Sequence, residues 1–68
     1  MAVDREVEAR GVMALAVEIF EDRTLALDWM ATPNATLGGL SPRDLCGTQA
    51  GAQQVRRVLR ALESGGAA

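Results

Sequence analysis

Trp29-Met30-Ala31-Thr32-Pro33-Asn34-Ala35-Thr36-Leu37-Gly38-Gly39-Leu40-Ser41-Pro42 decides the fold of this 68-residue chain. The stretch leaves an apolar helical pattern, passes a proline turn and a double glycine, and stops at a second proline that opens another helix. It contains both prolines, the single tryptophan and two of the seven glycines. Pro33 disfavours helical angles at Thr32, so the helix before it must end there. Gly38-Gly39 permits positive φ and close backbone approach. Ser41-Pro42-Arg43-Asp44 has the form of a helix start, with Ser as N-cap, Pro at the first helical position and Asp three residues after the cap. Read from residues alone, this is a connector between helices.

Working outward, Asp4 is placed to cap a first helix that runs to Phe20, after loose residues 1–3. Its apolar residues Ala9, Val12, Met13, Leu15, Ala16, Val17, Ile19 and Phe20 spread over an arc of about 200°, where one core-facing stripe needs about 100°. Either the helix buries a second face against another molecule, or a small bundle wraps it on several sides. Gly11 weakens this helix by roughly 1 kcal/mol relative to Ala and permits a close crossing. Asp22 caps a second helix ending near Ala31, with Leu25, Ala26, Trp29 and Met30 on one face and Leu27 pointing away. Trp29 reads as a core residue whose indole N–H seeks a carbonyl in the following loop, or as an aromatic anchor at a partner surface. Leu37 and Leu40 are expected to fold back onto the core. A short helix from Pro42 to Cys46 follows, bounded by Gly47.

Thr48 caps the last helix, which runs to Glu63 and is closed by Ser64-Gly65-Gly66. Ala52, Val55, Val58, Leu59 and Leu62 fall within about 120°, a single buried face. Arg56, Arg57 and Arg60 occupy the other side, as a solvated face or as a contact for phosphate or a nucleotide site. With no strand-like alternation, repeat or low-complexity run, the fold class is all-α. The chain reads as a small bundle of about four helices (4–20, 23–31, 42–46 and 49–63) with a Pro/Gly-containing loop at 32–40.

Composition narrows the function classes. A chain this short forms one domain near the lower size limit for a self-sufficient core, so oligomerisation or a partner is a plausible source of stability. Seven Arg, no Lys and nine acids give a net charge of −2, which argues against a nucleic-acid binder. The single Cys46 excludes an internal disulfide, fits a reducing, cytoplasmic setting and reads as a buried small hydrophobe. Asn34-Ala35-Thr36 matches a glycosylation sequon by chance. The apolar segment from Gly11 to Phe20 is interrupted by Glu18 and is neither a signal peptide nor a membrane span.

Catalytic chemistry is missing too. The chain has no His and no Lys, which removes Cys–His and Ser–His pairs, the phosphate-binding P-loop and Schiff-base chemistry. The carboxylate pairs Glu6/Glu8 and Glu21/Asp22 read as capping and solubility. Gly38-Gly39, followed by Leu-Ser-Pro, lacks the spacing of a dinucleotide loop. No enzyme, no cofactor and no metal site is expected.

Ile19-Phe20, Ala26 to Trp29-Met30, Thr32-Pro33-Asn34, Leu37-Gly38-Gly39 and Pro42, continued in register by Asp44-Leu45, Thr48, Gly51-Ala52, Val55, Leu59, Glu63 and Gly65, carry a resemblance. Over about residues 13–66 the chain resembles the toxin-binding domain of the Xre/MbcA/ParS antitoxin family. The resemblance implies a cytoplasmic module of a bacterial type II toxin–antitoxin system that neutralises a RES-type toxin, an enzyme that consumes NAD. It places the C-terminal end, Arg60, Glu63, Ser64 and Gly65, at the toxin's NAD cleft. Phe20, Trp29, Pro33, Leu37, Gly38, Gly39, Pro42 and Gly51 become its structural motif. Two positions depart from the pattern: Ala61 stands where the family often has Arg, with Arg60 shifted by one, and Glu21 stands where it commonly has Gly. Full antitoxins of this type usually carry a helix-turn-helix domain before this module, and the expectation here is one toxin-binding-type domain over 1–68 without it.

Three hypotheses follow: a toxin-neutralising module, a stand-alone adaptor or homo-oligomerisation module (a dimer), and a DNA-linked regulator using the Arg face of the last helix. Net negative charge disfavours the third.

Overall fold

A short polar side chain caps each turn of helix that follows a break, and these caps set the element boundaries. The computed structural model describes the backbone of residues 5–65 and the side chains of residues 8–65. It contains α1 (Arg5–Phe20), α2 (Arg23–Ala31), a 3-10 turn (Ala35–Leu37), α3 (Pro42–Leu45) and α4 (Gln49–Glu63). The expected cap at Asp4, the loose residues 1–3 and Gly66 lie outside the described residues. Asp22 Oδ1 accepts from the Leu25 N–H at 3.0 Å, and Asn34 Oδ1 from the Thr36 N–H at 2.9 Å. Ser41 Oγ accepts from the Asp44 N–H at 3.1 Å, and Thr48 Oγ1 from the Gly51 N–H at 2.9 Å. Each bond satisfies an N–H that the helix itself leaves orphaned and is worth about 1 kcal/mol. The third helix stops one residue short of expectation, at Leu45, with Cys46 closing it. No strand occurs among the described residues; Asn34 and Leu40 form only an isolated antiparallel bridge.

The core lies where α1, α2 and α4 meet: Val12, Ala16, Ala26, Met30, Leu37, Cys46, Ala52, Val55 and Leu59 are buried. The broad apolar arc of α1 is explained from inside the bundle. Val12 and Ala16 mark the buried line. Taking about 100° per residue, Ala9, Met13, Val17 and Phe20 fall on one flank, where the Phe20 ring meets Trp29 of α2 at 5.9 Å between centroids. Leu15 and Ile19 fall on the other flank, the side on which Glu8 meets Arg56 of α4. These flank residues are half-buried and pack against the core, so two neighbouring helices account for the width.

Three leucines depart from the sequence reading. Leu25, expected on the inner face of α2, is 54% exposed, because Ala26 and Met30 set the inward direction and Leu25 lies about 120° from it. Leu40 is also exposed; its carbonyl pairs with the Asn34 N–H while its side chain stays outside. Leu62 is 39% exposed. Val58 lies further off the buried line of α4 yet is better covered, so position in the final turn exposes Leu62.

Two backbone positions carry steric constraints. Gly51 is buried in the first turn of α4 against α3. A Cβ there would overlap the Leu45 carbonyl oxygen and lie 3.0 Å from Thr48 Oγ1. Glu21 ends α1 with φ 56°, a left-handed conformation that disfavours any side chain with a Cβ. The two sites call for opposite outcomes in urea unfolding. Gly51→Ala should lose about 3 kcal/mol, because backbone must move to admit the methyl. Glu21→Gly should gain about 0.5–1 kcal/mol by relieving the positive φ. A neutral Gly51→Ala would show that α3 and α4 separate freely.

Candidate functional site

The C-terminal turn of α4 gathers Arg60, Glu63, Ser64 and Gly65 into one exposed cluster. Arg60 Nη1 lies 3.2 Å from Glu63 Oε1, one turn along the helix, with both side chains more than half exposed. Such a surface pair contributes only a few tenths of a kcal/mol, so both groups remain available to a partner. The Ser64 N–H and hydroxyl both donate to the Arg60 carbonyl oxygen, at 3.0 and 3.1 Å. The Gly65 N–H donates to Leu62 O at 3.2 Å, and Gly65 takes φ 118°. Helix-end carbonyls are thereby satisfied while the side chains of Arg60 and Glu63 and the flank of Leu62 face outward. Ala61 is half-buried beside them. Moving the guanidinium from position 61 to 60 therefore turns it about 100° around the helix, from a half-buried site to solvent.

The loop at 32–40 turns on Asn34. Its N–H donates to Leu40 O at 3.0 Å, and its carbonyl accepts from the N–H groups of Leu37 and Gly39, each at 2.9 Å. Its side-chain oxygen makes the cap to Thr36. Gly38 and Gly39 take φ 70° and 85°, the left-handed angles the double glycine allows. Leu37 drops into the core, Pro33 is exposed, and Thr32 has the extended angles its proline imposes (φ −99°, ψ 131°). Pro42 is fully buried under its Ser41 cap. Trp29 is half-buried, tilted 55° against Phe20. The expected indole bond to a loop carbonyl is absent among the described residues; Thr32 Oγ1, donating to Asp28 O at 2.6 Å, ties loop to helix instead. Asn34 stood out in the sequence as a sequon and as part of the Thr32-Pro33-Asn34 motif of the resemblance, but not as a hydrogen-bonding centre, although its place after Pro33 and before a turn was the available signal.

The arginines of α4 divide. Arg57 and Arg60 are exposed, but Arg56 reaches back to α1, where its Nη1 lies 3.3 Å from Glu8 Oε1. Gly11 makes room for it, since a Cβ there would lie 3.1 Å from Arg56 Nη2. A three-arginine contact surface is thus reduced to two. Partners 48 residues apart leave no local pattern, which is why the sequence did not reveal the pair. Among the described residues no group of His, Cys, Asp and Glu is placed to hold a metal ion, and no helix is long and apolar enough to cross a membrane.

A family model described as "Antitoxin Xre/MbcA/ParS C-terminal toxin-binding domain" matches residues 15–65. That range runs from the middle of α1 through the Asn34 loop to the exposed end of α4. No curated protein and no solved structure matches the chain.

Cys46 is the remaining chemically reactive side chain. It is 1% exposed, and burial pushes its thiol above the ordinary range; the Arg56 charge opposes this and the Glu8 charge adds to it. A thiol held neutral in the fold stabilises it fully below the unfolded-state value, about pH 8.5, and that contribution is lost as pH rises through the higher folded value. Unfolding free energy should therefore fall above about pH 8.5 in the wild type, and fall less in Cys46→Ala. Iodoacetamide should modify Cys46 slowly in buffer and rapidly in urea; equal rates would contradict its burial.

Proposed function

As the chain belongs to the family of Xre/MbcA/ParS antitoxin C-terminal toxin-binding domains, we propose that it binds and neutralises a RES-type, NAD-consuming toxin through the exposed end of α4. The observation that carries the reading is the family match extending through Gly65, because it includes the cluster of Arg60, Glu63, Ser64 and Gly65. In this reading 1–68 is one such domain, acting in the cytoplasm as a protein ligand and not as an enzyme, with no cofactor of its own. An acid beside a guanidinium at a helix end offers both signs of charge to a cleft built for NAD. Gly65 lets the chain turn away from the helix axis there. The Asn34 loop and Gly51 support that end indirectly, by holding α4 in place.

A second reading, self-association into a dimer, is favoured by one observation: Leu25, Leu27, Leu40 and Leu62 are large apolar side chains left 39–54% exposed. Scattered exposed leucines are ordinary on monomers, so this reading is the weaker.

Affinity purification of the chain from its host should recover a RES-type enzyme, and adding the purified chain should slow that enzyme's NAD consumption. A variant ending at Leu62 keeps the buried residues Val55 and Leu59, so it should retain helical circular dichroism yet lose most of the inhibition. Recovery of copies of the chain alone would overturn the toxin reading in favour of self-association. Full inhibition by the truncated variant would move the contact elsewhere on the domain.

A further inference from the structure

A groove of about 230 Å³ opens between α1, α2 and α3, lined by Ala9, Arg10, Met13, Leu27, Met30 and Arg43. Its floor is apolar, and its charged lining groups are two guanidinium groups from different helices. Among the described residues neither Arg10 nor Arg43 is ion-paired, in contrast to Arg56 and Arg60. We propose that this groove receives an acidic, apolar segment of the partner protein. One aliphatic or aromatic side chain lies on the methionine floor, and neighbouring carboxylates reach Arg10 and Arg43.

Charge complementarity selects the occupant. Two arginines converging on one apolar hollow favour a ligand that brings both carboxylate and hydrocarbon, and they repel cations. The volume lies below the roughly 300–1,000 Å³ of sites that enclose small organic ligands, which favours a side chain inserted from a larger partner. Nucleic acid is disfavoured, since no aromatic ring lines the groove for base stacking and the chain carries net charge −2. Met13 and Met30 supply unbranched, adaptable side chains of the kind that accept apolar groups of varied shape. Leu27, 49% exposed, stands at the groove as ready contact area. Ala9, Arg10 and Met13 precede residue 15, where the family match begins, so this half of the groove lies outside the matched range.

The identity of the partner as a toxin rests on the toxin-binding reading, while the groove's preference for acid does not. Two experiments separate them. In the first, the isotopically labelled chain is titrated with a capped amphipathic peptide of leucine and glutamate, and with the same peptide carrying glutamine in place of glutamate. The glutamate peptide should shift the resonances of Ala9, Met13, Leu27 and Met30. The effect should weaken with salt and disappear in the Arg10→Glu/Arg43→Glu double variant. Arg10→Lys/Arg43→Lys should keep most of it. Equal shifts from both peptides, or none at the groove, would overturn the proposal. In the second, affinity for the RES-type toxin is measured for wild type and the Glu double variant. A loss of tenfold or more is expected. Unchanged tight binding by the variant would remove the groove contact while leaving the toxin reading intact. If the wild type fails to bind the toxin, the toxin reading fails, and the peptide titration still decides the groove.

Discussion

Close approach of helices across small side chains is the constraint on which the rest of this structure depends. Val12, Ala16, Ala26, Ala52, Val55 and Leu59 are wholly buried, and three of these six are alanines. Alanines bury little apolar surface each, so the helices gain enough contact only by lying near one another. That closeness then dictates the rest. Gly51 exists because no Cβ fits beneath the Leu45 carbonyl, and Gly11 leaves room for Arg56 to lie across α1. The starts of α2, α3 and α4 are each capped by a side chain, because so small a core cannot also carry orphaned N–H groups.

The fold separates a supporting part from a presenting part. The Asn34 loop spends its backbone hydrogen bonds on itself, with Leu37 as its tether to the core, and so fixes where α3 and α4 begin. Arg56, one of the three arginines on the outer face of α4, is committed to Glu8 and holds two helices together. The surfaces proposed for recognition are the exposed end of α4 and the groove flanked by Arg10 and Arg43. Both combine exposed charge with nearby hydrocarbon, and neither is needed to close the core.

Much of this was legible beforehand. Local rules placed the breaks: Pro33 acts on Thr32, Asp22, Ser41 and Thr48 accept from N–H groups three residues on, and the double glycine takes positive φ. Such effects reach only a few residues along the chain, so a single sequence contains all the information they need. The wide arc of α1 was visible too, but not its cause, since the arc is the same whether neighbouring helices or another molecule cover it. Leu25 was misplaced because six apolar residues spread around a nine-residue helix define its inner face poorly.

By itself, then, the sequence determined the all-α class, the four helices, the caps of the last three, the Pro/Gly loop and the family resemblance carried by Phe20, Trp29, Pro33, Gly38, Gly39, Pro42 and Gly51. Tertiary structure alone decided which arginines pair across helices among the described residues. Arg56 turned inward to Glu8, while Arg10 and Arg43, distant in sequence, came to line one hollow. It likewise decided which leucines stay outside. The physical reason is range: hydrogen bonds at caps and turns join neighbours in the chain, whereas burial and charge pairing depend on which helix faces come together in space.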